Sequence, residues 1–142
     1  ARCHSVFRQA AEQLGALQRQ CRRIYVDPSL IQHAVRLVAA TREPARFGLA
    51  DQARFVTFGA SPRATIALIE GARALACLRG RRYVLPEDLT DLVPDVLRHR
   101  IVLSYEALAE GVDADALVRR IMKQLPAPEK PLESHVDLAE QA

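Results

Sequence analysis

The stretch from Ser61 to Gly80 constrains the fold most, because it has the pattern of one long, largely apolar helix. Ser61–Pro62 is a typical helix start, and Gly80 is a typical C-terminal stop. Between them the apolar side chains spread over most of the helix circumference, at Ile66, Leu68, Ile69, Ala72, Leu75, Ala76 and Leu78. A helix that is apolar on most sides is normally buried. Residues 62–79 are therefore predicted to form the central helix.

Two helices are predicted before this stretch. Apolar residues recur at spacings of three and four from Val6 to Cys21, which predicts a helix over about residues 5–23. Asp27–Pro28 combines a good N-cap with proline at the first helical position, so a second helix should begin there and end near Arg42. Residues 43–60 show no sustained period and are predicted to be an ordered loop with one short turn of helix.

The remaining helices are predicted after Gly80. Pro86–Asp88 places acids in a first helical turn, and Pro94 should interrupt the helix that follows, leaving Pro94–Arg100 as a separate short helix. Ile101–Leu103 is β-branched and apolar, which indicates a short extended segment. Asp113 is predicted to cap the last helix.

These elements predict an all-α fold of five to six helices, with an ordered loop before the central one. The 142 residues suit one domain, and 49% of them are hydrophobic. Aromatic residues make up only 5%, so the core should consist of Leu, Ile, Val and Ala. Residues 1–126 are assigned to the helical domain. Residues 127–142 are assigned to an acidic, proline-containing tail of irregular structure.

Charge and cysteine content argue against several classes of protein. A net charge of +3 does not by itself indicate a nucleic-acid partner. Cys3, Cys21 and Cys77 are odd in number and widely spaced, so reduced thiols and a cytoplasmic location are expected. Cys3–His4 is too slight a pattern to predict a metal site. No apolar run approaches the roughly 20 residues that span a bilayer, so no membrane contact is expected.

The sequence carries no complete catalytic motif. A phosphate-binding P-loop needs a glycine-rich loop ending in lysine and Ser or Thr, and neither Lys123 nor Lys130 lies in such a loop. The segment starting at Gly59 resembles a hydrolase elbow only until Arg63, which replaces the second glycine. Glu87–Asp88 is better explained by helix capping than by acid–base catalysis. Any catalysis must therefore be shared with another piece of protein.

Arg63 is the residue placed against local preference. If Ser61 is the N-cap, the arginine lies in the first helical turn, where a cation opposes the helix macrodipole by about 0.3–1 kcal/mol. Residues that break a local rule are candidates for function. A helix N-terminus attracts anions, and a guanidinium adds a bidentate grip on phosphate. The alternative is a solvated arginine on a surface turn, and physics alone leaves both open.

Gly59–Ala64 resembles the sensor-2 motif on the C-terminal helical lid of MoxR-type AAA+ ATPases. The resemblance covers about residues 8–126 and includes further matches in the same order, at Tyr25–Pro28, Ala39–Arg42, Arg73–Ala76, Gly80–Val84, Pro86–Asp88, Val96–Arg100 and Gly111–Asp113. Leu85 departs from the pattern, since Thr or Ser would be expected as the cap before Pro86. The ATPase core of the family, with its P-loop, is not carried by these residues.

The resemblance implies a lid that closes over ATP held by a separate core. Arg63 would contact the terminal phosphate, and Ser61 and Pro62 would shape the turn that presents it. ATP and Mg²⁺ are implied for the full-length protein and no cofactor for this chain alone, which should not be active by itself. The implied partners are the protein's own core, neighbouring subunits of a hexamer and a von Willebrand A-domain protein, in a chaperone-like role.

Two other functions remain open at this stage. Basic clusters could make a helical nucleic-acid-binding module, at Arg19/Arg22/Arg23, Arg79/Arg81/Arg82 and Arg119/Arg120. Acidic residues are interleaved with them, so nucleic acid is not the favoured partner. A passive protein-interaction domain is the third interpretation. Arg98–Arg100 is either a subunit contact or a charged helix end, and the helix end is favoured because cations suit the dipole there.

Overall fold

The computed structural model describes residues 2–129, with side chains from residue 8 onward, and is predominantly helical. Its α-helices are α1 (Arg2–Arg22), α2 (Pro28–Arg42), α3 (Arg63–Leu78), α4 (Pro86–Leu97), α5 (Tyr105–Ala109) and α6 (Ala114–Gln124). Strands β1 (Val56–Phe58) and β2 (Val102–Leu103) pair antiparallel, with Val56 opposite Leu103 and Phe58 opposite Val102. Most of the predicted acidic tail lies outside the described residues.

The predicted central helix is confirmed, because α3 packs against α1, α2 and α4. Its buried face consists of Ala64, Leu68, Ala72 and Ala76, each fully excluded from solvent. Three of these four side chains are methyl groups, so neighbouring helices approach the α3 backbone closely. The helix is not buried on all sides, however, since Ile66 is 59% exposed and Leu78 is 85% exposed.

The predicted helix starts at Asp27 and Asp113 are confirmed. Asp27 accepts a hydrogen bond from the Ser29 amide at 2.8 Å, and α2 spans Pro28–Arg42 as expected. Asp113 accepts one from the Ala116 amide at 2.6 Å and so caps α6. In both cases a carboxylate satisfies an amide that has no partner within its helix.

The prediction that Pro94 divides the fourth helix is wrong. α4 runs without a break from Pro86 to Leu97 and contains Pro94. Leu89, Val93 and Leu97 are fully buried at intervals of four, so their packing outweighs the hydrogen bond lost at proline. Only Arg98–Arg100 forms a separate element, a single 3-10 turn.

The connecting segments contain more regular structure than predicted. Residues 43–60 contain two 3-10 helices, Pro44–Phe47 and Ala50–Phe55, followed by β1. The predicted extended segment near residue 102 is β2, its partner. The five-residue helix α5 was not predicted, although Ser104 marks its start by accepting a hydrogen bond from the Ala107 amide at 3.3 Å.

Helix α1 lies at the margin of the domain. Its predicted apolar face contains Leu14 and Leu17, which are 58% and 54% exposed, whereas its last turn and the segment after it are packed against the rest of the fold. Within residues 2–129, none of the helices combines the length and the apolar character that crossing a membrane requires.

Candidate functional site

The turn that leads from β1 into α3 is fixed against the end of α2. The buried Ala60 amide donates to the Thr41 hydroxyl at 2.9 Å, and that hydroxyl donates to the Val38 carbonyl at 2.7 Å. A side chain on Gly59 would come within 2.6 Å of the Arg42 amide nitrogen, and closer still to the Thr41 carbonyl. Glycine is therefore required at position 59, and the turn has little freedom to move relative to α2.

The start of α3 differs from the prediction that Ser61 is its N-cap. The helix begins at Arg63, Pro62 is the N-cap, and no side chain caps the first turn. Pro62 already has helical dihedral angles, so the backbone tightens one residue earlier than expected. The Ala64 amide donates to the Ser61 carbonyl at 2.9 Å, and the Thr65 amide donates to the Pro62 carbonyl at 3.0 Å. Ser61 and Pro62 thus shape the turn through their backbones.

Arg63 is the first residue of α3, and its side chain is exposed. It forms no ion pair with any residue in the described range 2–129. Two amides of the first turn are already bonded to carbonyls, so the guanidinium carries most of the free N–H donors at this end. The arrangement presents a fork of N–H donors to solvent from a rigid turn, which suits a phosphate or carboxylate.

The opposite end of α3 carries a cluster of arginines that pair with acids. The side chain of Asp88 is fully buried and accepts from Arg79 at 2.7 Å and from Arg81 at 2.6 and 2.7 Å. It also accepts from the Leu85 amide at 2.8 Å, which is the half of a capping box that needs no Ser or Thr at the N-cap. Arg79 additionally bonds Asp91 at 2.8 Å.

Burial and hydrogen bonding act in opposite directions on the pKa of Asp88. Burial raises the pKa of this carboxyl, but hydrogen bonds from Arg81, Leu85 and Arg79 together lower it more, and the pKa lies below its usual range. Asp88 is therefore ionised at neutral pH and holds two arginines in place. Neither of these two ion pairs was predicted from sequence, because residues 79 and 88 meet only through the packing of α3 on α4.

The predicted basic clusters are partly neutralised by such contacts. Arg79 and Arg81 are paired with aspartates, and Arg120 lies 3.2 Å from Asp51. A cavity of about 270 Å³ beside Arg120 is lined largely by charged side chains that pair with one another, including Arg54 with Glu110 at 2.6 Å. These arginines are engaged within the fold, whereas Arg19, Arg22 and Arg23 form no ion pair among residues 2–129.

Comparison with known proteins identifies the family. The AAA lid domain family matches residues 49–121, which include the turn, α3, α4 and most of α6. The chain is 44% identical over 105 residues to Chaperone MoxR1 of Mycobacterium tuberculosis, covering 74% of this chain and 28% of that protein. It is 38% identical over 110 residues to Protein MoxR of Paracoccus denitrificans, covering 73% of this chain and 32% of that protein.

A solved structure supports the same assignment. A proposed ATPase from Cytophaga hutchinsonii superposes with a TM-score of 0.75 at 38% identity, over 78% of this chain and 34% of that one. The chain thus spans about a third of the length of the proteins it matches. It belongs to the AAA lid domain family and is a lid of the MoxR type of AAA+ ATPase.

Proposed function

We propose that this domain closes over ATP bound by a separate P-loop core and that Arg63 contacts the terminal phosphate of that ATP. The observation that carries the proposal is the contrast at the turn before α3, where the backbone is tightly fixed while the arginine it presents is exposed and forms no ion pair within residues 2–129. The Arg63 charge makes no ion pair within the described residues, yet the backbone that carries it is fixed in place.

Arg63 would act by stabilising negative charge. A guanidinium can donate two parallel hydrogen bonds to phosphate oxygens, and its charge stabilises the transition state of phosphoryl transfer. Because Thr41 and Gly59 fix the turn to α2, a force on Arg63 would reach the body of the lid rather than bend a loop. The angle of the lid would therefore follow the presence of the terminal phosphate.

The wider setting is proposed from the family. ATP and Mg²⁺ would be bound by the core, in subunits that assemble as a hexamer in the cytoplasm. Hydrolysis would drive chaperone-like remodelling or activation of partner proteins, including von Willebrand A-domain proteins. The name of the Mycobacterium tuberculosis relative, Chaperone MoxR1, supports the chaperone role. Because the phosphate cradle belongs to the core, this chain alone should neither hydrolyse ATP nor bind it tightly.

Replacing Arg63 with Ala in the protein that includes the ATPase core tests the proposal. Turnover should fall by roughly ten- to a thousandfold, because one charge-stabilising donor among several is removed. Arg63→Lys should restore only part of the rate, since an ammonium keeps the charge but loses the fork. Steady-state hydrolysis and nucleotide affinity are the measurements.

Arg36→Ala is a matched control. Arg36 is also an exposed helical arginine without an ion pair among the described residues, but it lies on α2 and outside the turn. Its removal should leave turnover within about twofold of wild type, because it meets no developing charge. Equal turnover for wild type and Arg63→Ala would show that Arg63 is a solvated surface residue and would remove the basis of the proposal. Salt-dependent DNA binding by the lid, lost on removal of arginines, would favour the nucleic-acid alternative.

A further inference from the structure

The side of α2 that faces away from the core carries apolar residues. Ile31 and Val35 lie one helical turn apart on it, and both are exposed. Arg42 follows two turns after Val35 on the same side, where it is exposed and forms no ion pair within residues 2–129. These three residues define the outward face of α2, a short apolar stripe that ends in a cation.

The chain leaves the described fold close to this face. Helix α6 packs against α2, and its last residue, Gln124, lies beside Gly48, because a side chain on that glycine would meet the Gln124 amide nitrogen at 2.7 Å. Gly48 is only six positions past Arg42. Leu125 is buried, so the chain is still anchored there. The residues that follow α6 therefore start near the C-terminal end of α2.

Residues 130–142 lie outside the described range, but their sequence complements the outward face of α2. Apolar residues recur at spacings of four and three, at Leu132, Val136 and Ala139. Acidic residues recur at the same spacings one position later, at Glu133, Asp137 and Glu140. In a helix these sets would form two neighbouring stripes, one apolar and one acidic. Lys130 is the only basic residue among the lysines and arginines of this segment.

We propose that residues 132–140, the tail segment, fold as a helix against the outward face of α2 and run antiparallel to it. The chain enters at the end of α2 that carries Arg42, so Glu133 would pair with that arginine. The apolar stripe of the tail segment would then cover Val35 and Ile31. A helix this short is unstable alone in water, so it would form only where it is docked. The inference does not depend on the function proposed for the domain.

The length of the chain permits this contact. The outward face of α2 extends from Ile31 to Arg42, which is about 16 Å at 1.5 Å per helical residue. A helix over the tail segment would be about 13 Å long, so its two stripes match most of the face. Six residues, 126–131, connect the buried Leu125 to the tail segment, and extended chain spans about 3.3 Å per residue. The connection is therefore long enough to turn back along α2.

Methyl NMR spectra of the 142-residue chain and of a chain ending at Glu129 test the proposal. Removal of the tail should shift the methyl resonances of Ile31 and Val35, because these side chains lose their cover. The methyl resonances of Leu14 and Leu17, which are exposed on α1, should stay in place. Unchanged resonances at Ile31 and Val35 would overturn the proposal, and so would shifts confined to Leu14 and Leu17.

Two identical substitutions in the tail test its register. Leu132→Ala shortens the apolar stripe and should move the Ile31 and Val35 resonances most of the way to their positions in the truncated chain. Leu138→Ala is the matched control, because Leu138 would lie outside both stripes, and it should leave those resonances where they are in the full chain. Equal effects of the two substitutions would contradict the docked helix.

A photo-cross-link shows whether the contact forms within one chain. With p-benzoylphenylalanine in place of Val136, irradiation of a dilute sample should join position 136 to the tryptic peptide that contains Val35, in a product with the mass of a monomer. A product with the mass of a dimer, or a cross-link to α1 instead of α2, would overturn the proposal. The variant alters only the tail, so the fold of residues 2–129 does not depend on it.

Discussion

At its C-terminal end α3 meets two arginines that are fully engaged in the fold, whereas the arginine at its N-terminal end bonds no described acid. Arg79 and Arg81 interact favourably with the macrodipole of α3, since cations are stabilising near a helix C-terminus. Both also contact the buried Asp88. Arg63 opposes the dipole and remains exposed. The same residue type is used for stability at one end and is available for a ligand at the other.

The difference gives a criterion for separating arginines that stabilise this fold from candidate ligand-binding arginines. The number of arginines does not indicate function, because the two arginines at the C-terminal end of α3 are the ones that pair with acids. What distinguishes Arg63 is a charge that pairs with no acid in the described part of the chain, on a backbone that other residues have fixed. Thr41 and Gly59 provide that fixation.

The largest expected effect on the free energy of unfolding is at the C-terminal end of α3. Asp88→Asn keeps the shape of the side chain but removes the charge that holds Arg79 and Arg81, and it should lower the free energy of unfolding by about 2–4 kcal/mol. Urea denaturation of the isolated domain at neutral pH measures the change. Glu87→Gln is the control, because Glu87 is exposed beside it, and it should cost less than about 0.5 kcal/mol. Equal effects of the two substitutions would mean that the buried ion pairs do not stabilise the domain.

A smaller effect on stability is expected where the turn between β1 and α3 is fixed to α2. Thr41→Val removes the hydroxyl that accepts from the Ala60 amide and leaves that buried N–H without its partner, at a cost of about 1–3 kcal/mol. Thr57→Val is the matched control, because the Thr57 hydroxyl makes only an exposed 3.3 Å bond to the Leu103 carbonyl. In the protein with its core, Thr41→Val should also slow ATP hydrolysis, because it loosens the turn that presents Arg63. Normal hydrolysis by a destabilised Thr41→Val variant would show that rigidity of the turn is unimportant.

The pH dependence of stability sharpens the contrast further. The pKa of Asp88 is lowered in the folded domain, so its ionisation contributes stability that is present above the unfolded value of about 3.9 and is lost as pH falls through the folded pKa. The difference in unfolding free energy between wild type and Asp88→Asn should therefore shrink in acid, below about pH 4. Denaturation curves at pH 7 and pH 3 measure this. A constant difference would mean that the charge of Asp88 is not what stabilises the domain.

The parts that were predictable from sequence are those set by local chemistry. Asp27 and Asp113 predicted helix starts, because a carboxylate before a helix satisfies amides that have no partner within it. The period of the apolar residues predicted the position of α3. Arg63 could be singled out because it breaks a local rule. The continuity of α4 through Pro94 was missed, although the buried stripe of Leu89, Val93 and Leu97 was a signal that packing would prevail.

The parts that were not predictable depend on residues far apart in the chain. The bond between Thr41 and Ala60 and the pairing of Arg79 with Asp88 arise only when helices pack. The start of α3 was also placed wrongly, because Pro62 itself adopts helical angles and the carbonyl of Ser61, rather than its hydroxyl, receives an amide. No local pattern distinguishes these two ways of beginning a helix after Ser–Pro.

The smallest expected effect on stability is at Arg63. The guanidinium opposes the macrodipole of α3 and makes no ion pair within the described part of the chain, so Arg63→Ala should leave the free energy of unfolding unchanged or raise it by a few tenths of a kcal/mol. Arg63→Glu should raise it further, by up to about 1 kcal/mol, because an anion is favourable at a helix N-terminus. Urea denaturation of the isolated domain measures both variants, and salt should weaken the gain. If Arg63→Ala instead lowers the melting temperature by several degrees, Arg63 stabilises the fold, and the two ends of α3 do not differ in the way proposed.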